Sequence, residues 1–204
     1  MKVRVPITTG GGEEPTIEIK DIKGLKSGKY SKTHIENLIK AAKVAGVDPH
    51  TLISLTLQES GIGTAKKKAS IVSGRHSRNT GTDFLGQVND FSPLQEEEMG
   101  RLSSTSGISS DYLKPAIVLR DKLKYAERLG FKDDDLKLQA YNGYGKLLPQ
   151  KDASGKSIPT KYYGIDVPEE GIDMRKTPLY GRRLIELKKS ILNNKEINDL
   201  IAIK

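Results

Sequence analysis

The 204-residue sequence predicts an α+β fold that is predominantly α-helical, with a polar loop or hairpin insertion and a short N-terminal arm. Three observations lead there. Apolar residues recur at helical spacing in separate stretches along the chain, and capping residues and glycines bound those stretches. A strand-like alternation, Thr16-Ile17-Glu18-Ile19-Lys20, stands near the N-terminus between Gly-rich segments. The length suits one well-buried domain rather than two, so the chain is divided into an arm, residues 1–30, and a domain, residues 31–204.

Taken in order, the first helix is expected to open at Thr33, with Glu36 completing a capping box, and to end near Gly46. Its apolar stripe is Ile35, Leu38, Ile39 and Ala42. Asp48 then suits the N-cap of a second helix and Pro49 its first turn, where the missing N–H costs nothing. That helix runs through Leu52, Ile53, Leu55, Thr56 and Glu59 to Gly61 or Gly63. Residues 62–94 are rich in Gly, Ser, Thr, Asn and Lys and read as loops with a short hairpin. Helical spacing resumes over Ser110–Leu129, carried by Leu113, Ala116, Leu119, Leu123 and Ala126. Asp133-Asp134-Asp135 supplies negative charge to the start of a short helix holding Leu136, Gln139 and Ala140. Residues 146–176 form a polar excursion, and a last helix is expected from about Tyr180 to Leu192.

Composition narrows the chemistry. There are no cysteines, which excludes disulfides and thiolate metal sites, and the three histidines are scattered. No metal or cofactor is implied. The net charge of +8 favours a polyanionic partner, such as an acidic cell wall. Nucleic acid is not expected, since Trp is absent, Phe occurs three times, and no basic–aromatic stripe is present. No apolar run reaches the length of a transmembrane segment, and Met1–Pro6 lacks the apolar core of a secretory signal peptide.

Glu59 stands out on the second helix. It lies seven residues after Leu52, four after Leu55 and three after Thr56, so it shares their face. A carboxyl at the edge of an apolar wall holds its proton more tightly than one in water, and a protonated carboxyl near neutral pH can donate to a leaving oxygen.

Gly46-Val47-Asp48-Pro49, Leu52 and Gln58-Glu59-Ser60-Gly61 together resemble the opening motif of lytic transglycosylases and goose-type lysozymes. Ala140-Tyr141-Asn142-Gly143-Tyr144-Gly145 is similar to the Ala-Tyr-Asn motif of that family. Thr177-Pro178-Leu179-Tyr180-Gly181-Arg182-Arg183-Leu184 is similar to its late segment. The three occur in family order over roughly residues 33–192. The resemblance implies a lysozyme-like fold and peptidoglycan glycan strands as substrate. By it, Glu59 protonates the glycosidic oxygen and then acts as base. Ser60 orients Glu59 or the acetamido group, Tyr141 bonds near Glu59, Asn142 steadies the site, and Tyr180 shapes its wall. The sugar-contacting Gln of the family has two candidates: Gln95 in Ser92-Pro93-Leu94-Gln95, preferred for its distance to the next helix, and Gln87 in Leu85-Gly86-Gln87-Val88.

In the family resembled, one acid suffices, because the N-acetyl group of the substrate assists and its 6-hydroxyl closes a 1,6-anhydro ring. Lysozyme-type hydrolysis, the alternative as a muramidase or glucosaminidase, would recruit Asp83 or Asp90 as second carboxylate. Both also suit turns. A third reading is a non-catalytic wall-binding module of a virion. The expected place of action is the bacterial cell wall or periplasm, as a phage lysin or virion component, with the N-terminal arm a candidate contact for virion or tail proteins.

Overall fold

The computed structural model describes residues 14–20, 27–60, 91–128, 130–139, 141, 150–151, 154, 157–158 and 180–203. Among these the fold is mostly helical. Strand β1 (Thr16–Ile19) pairs antiparallel with β2 (Gly28–Ser31), placing Ile17 opposite Tyr30 and Ile19 opposite Gly28. The alternation read from the sequence is real: Ile17 and Ile19 are buried in the main core while Thr16 and Glu18 face outward. A second two-stranded antiparallel ladder joins β3 (Gln150–Lys151) to β4 (Ser157–Ile158).

Seven helices are described: α1 (Lys32–Ala45), α2 (Pro49–Ser60), α3 (Pro93–Ser106), α4 (Ser110–Arg128), α5 (Asp134–Gln139), α6 (Tyr180–Leu192) and α7 (Lys195–Ala202). Helix α1 starts earlier than the expected Thr33. Its N-cap is Ser31, whose hydroxyl accepts from His34 N, so Glu36 lies past the first turn and closes no capping box. The predicted stripe is buried, and Gly46 ends the helix with φ 74°. At that cap Val47 N–H reaches back to Ala42 O over 2.9 Å, satisfying a carbonyl the helix leaves open.

Helix α2 departs from the one-faced helix that the spacing implied. Every residue from Thr51 to Leu57 is buried, because α2 packs against α1, α4 and α6. Its polar side chains turn inward onto its own backbone. Ser54 Oγ donates to His50 O over 2.7 Å, and Thr56 Oγ1 is shared between Leu52 O and Ile53 O, each at 3.0 Å. Hydroxyls satisfied within the helix carry no desolvation debt into the core. The expected cap is present: Asp48 Oδ2 accepts from Thr51 N at 3.1 Å and from Thr51 Oγ1 at 2.6 Å.

Two helices correct the sequence reading. Residues 92–94, read as loop, belong to the start of α3. Ser92 is its N-cap and Pro93 opens the first turn, while Gln95 completes a reciprocal capping box. Nor is the helix at Tyr180 the last one, for α7 follows it. Asn194 caps α7 by accepting from Ile197 N at 3.1 Å, while its Nδ2 donates to Glu18 O at 2.7 Å, joining the C-terminal helix to β1. No described helix is long and apolar enough to cross a membrane.

Candidate active site

Three of the residues singled out by sequence converge from segments far apart in the chain. Glu59 occupies the last turn of α2, half-buried where the closed core reaches its edge. Tyr180 is the first residue of α6, and its hydroxyl donates a hydrogen bond to Glu59 Oε1. Tyr141 follows α5 and lies within electrostatic reach of both Glu59 and Tyr180. The two tyrosines are only 7% and 6% exposed, so their rings extend the core up to the carboxyl group.

Burial, and after it the negative charge of Glu59, push the Tyr141 phenol well above its ordinary range. For Tyr180 burial again comes first, followed by the Glu59 charge, the hydrogen bond to Glu59, and Tyr141. Both phenols therefore keep their protons at neutral pH. Tyr180 remains a donor, and its bond fixes the plane and direction of the Glu59 carboxyl. The arrangement is a carboxyl group at the edge of an apolar wall, oriented by a neutral phenol. It can exchange a proton with an oxygen atom brought against it.

The placement of Tyr180 depends on two residues, Gly181 and Gln139, to which the sequence reading gave no role. Gly181 N donates to Gln139 Oε1 over 2.9 Å, so a buried side chain of α5 satisfies one of the first-turn N–H groups of α6. The two helices approach so closely at this point that a Cβ on Gly181 would collide with the backbone carbonyl of Asp135. Gly181 is needed for space, and Gln139 for the hydrogen bond. A glutamine on the apolar face of a short helix was the available signal.

Gln95 has a structural task. Its Oε1 accepts from Ser92 N at 3.0 Å and its Nε2 donates to Asp121 Oδ2 at 2.8 Å. Ser92-Pro93-Leu94-Gln95 is the capping sequence of α3, a helix that lies between Gln95 and the expected helix at Ser110. Ser60 ends α2 with its side chain outside the described set, and Gln87, Asn142, Asp83 and Asp90 lie outside the described residues.

No group of three His, Asp or Glu side chains suited to a metal ion occurs among the described residues. A cavity of about 200 Å³ is lined at the opposite end of α2 by Asp48, Thr51, Leu123, Glu127, Lys137 and Lys188, among others. Charges there pair with each other, Lys188 with Asp48 at 2.8 Å and Lys137 with Glu127 at 3.3 Å. It contains none of the three converging residues.

Compared with protein families, curated proteins and solved structures, the chain shows no match. Whatever is said of its chemistry rests on the residues themselves.

Proposed function

We propose that this protein is a peptidoglycan lytic transglycosylase with a lysozyme-like fold, cleaving the MurNAc–GlcNAc β-1,4 bond through Glu59. The observation that carries the reading is the meeting of Glu59, Tyr141 and Tyr180, which come from separate motifs and share no local sequence. A carboxylate on a helix facing a core needs a reason to be there, and an oriented acid is a sufficient one.

In the proposed reaction the protonated Glu59 carboxyl gives its proton to the glycosidic oxygen as the C1–O bond breaks. The N-acetyl oxygen of the substrate supports the developing positive charge at C1. The Glu59 carboxylate then takes the proton from the 6-hydroxyl, whose oxygen closes on C1 as a 1,6-anhydro ring. Each proton lost by Glu59 is thus recovered, and no water is consumed. Tyr180 holds the carboxyl in place and Tyr141 walls the site. Ser60, Asn142 and Gln87 keep the substrate-binding roles that the resemblance implies. Gln95, whose carboxamide is engaged in the fold, has the weaker claim. Action at the cell wall, as a phage lysin or virion component, belongs to the same proposal.

Purified peptidoglycan tests it. Wild-type protein should clear a suspension of sacculi, while Glu59→Gln, which keeps the shape of the side chain and removes its titratable proton, should lose at least about 10²-fold in rate. Clearing by Glu59→Gln at the wild-type rate would remove Glu59 from the chemistry.

A further inference from the structure

We infer that Lys122, on α4, is a positioning residue for this site, fixing Tyr141 from two sides; the inference rests on the reading of Glu59 and Tyr141 given above. Lys122 Nζ donates to Tyr141 O over 2.7 Å. The same ammonium lies 4.7 Å from the centroid of the Tyr141 ring, within the range of a cation–π contact. One cation therefore holds both the main-chain carbonyl and the ring of a single residue. With the carbonyl and the ring each tied to the same point, the side-chain torsions between them have little room to vary.

Tyr141 stands two residues past the C-terminal end of α5, and Lys122 supplies its carbonyl with a donor. The stem of Lys122 arises from the longest of the described helices, where Ala116, Leu119 and Ala126 are anchored in the core. Lys122 thus ties to α4 a phenol that lies within electrostatic reach of Glu59 and Tyr180. Removing it frees that ring, and small displacements near a reacting group are costly in rate.

The test compares Lys122→Met, Lys122→Gln and Lys122→Arg. Turnover of purified peptidoglycan should fall about tenfold in kcat for Lys122→Met with KM little changed, and Lys122→Arg, which restores a cation, should recover most of it. Lys122→Gln keeps a donor for the carbonyl but has no charge for the ring, so it should fall between them and guards against a Met variant that fails to fold. A second readout does not use activity. In protein carrying ¹³C-labelled tyrosine, the Tyr141 ring resonance, assigned through Tyr141→Phe, should shift or broaden in Lys122→Met and return with Lys122→Arg. An unmoved Tyr141 resonance in folded Lys122→Met or Lys122→Gln overturns the inference. So does an unchanged kcat where wild-type cleaves peptidoglycan. If Glu59→Gln retains full activity, the functional reading fails, while the ring resonances still decide the role of Lys122.

Discussion

At the scale of single residues, the hydrogen bond from Tyr180 to Glu59 is the contact on which the site depends. Replacing Tyr180 with Phe keeps the buried ring and deletes only the donor, so the fold should persist while the carboxyl loses its fixed direction. A hydrogen bond to a charged group is worth about 1.5–3 kcal/mol, and the rate of peptidoglycan cleavage should fall about 10- to 100-fold. Initial rates with wild-type and Tyr180→Phe at matched concentration check this, with circular dichroism to show that the fold is kept. Much of the site was legible in the sequence at this scale. Glu59 showed itself as a carboxylate in phase with Leu52 and Leu55, and Tyr141 and Tyr180 through motif order. Gln95 reads two ways for a physical reason: Ser-Pro-Leu-Gln resembles a sugar-binding signature and also suits a helix start, and the reciprocal bonds with Ser92 show the second of these tasks. Lys122 carried no sequence signal, since a lysine on an amphipathic helix is ordinary, and Gly181 stood in the late motif without a role of its own.

At the scale of elements, α2 is set by its two ends. Burial alone would raise the Asp48 carboxyl, but hydrogen bonds from Lys188, Thr51 and His50 override it and hold Asp48 well below the usual carboxylate range. A depressed folded-state value means that the stabilisation is present above the unfolded value of about 3.9 and is lost as pH falls below it. Asp48→Ala should therefore destabilise the protein by about 1 kcal/mol near neutral pH. Urea unfolding of the two proteins should give midpoints that approach one another as pH falls below about 4. At the other end the position of Glu59 depends on α6, whose first turn fits against α5 only because residue 181 lacks a side chain. Gly181→Ala should cost about 2–3 kcal/mol and displace Tyr180. Thermal unfolding reads the first effect, and a loss of cleavage rate at a temperature where the variant is folded reads the second. The sequence located α1, α2, α4, α5 and α6 from apolar residues at helical spacing; the Asp48 cap of α2 agrees, while α1 is capped by Ser31 in place of the expected Thr33. Helix α3 escaped because it buries no residue fully, leaving no apolar period to detect. Helix α7 does carry an apolar stripe, Ile197, Leu200 and Ile201, but its eight residues make only about two turns, short for a periodic signal.

At the scale of the molecule, the two ends of the described chain close on one core. Ile17 and Ile19 of β1 share it with Ile197 of α7, Asn194 ties α7 to the β1 backbone, and Lys43 Nζ donates to Ile201 O and Ile203 O at 2.9 and 3.2 Å. Helix α2 runs through this core, and its last turn brings the Glu59 carboxyl to the rim. The sequence indicated the helical class but underrated how thoroughly α2 is enclosed, because spacing reports one face and says nothing of neighbours arriving from distant segments. The central claim is that such a carboxyl, aided by the acetamido group of the substrate, cleaves the glycan without water. The most direct measurement is the mass of the disaccharide-peptide fragments released from purified peptidoglycan. The fragments should end in 1,6-anhydro-MurNAc, each lighter by one water than a hydrolysis product and resistant to borohydride reduction. Fragments that carry a full complement of water and reduce with borohydride would contradict it and make the protein a hydrolase.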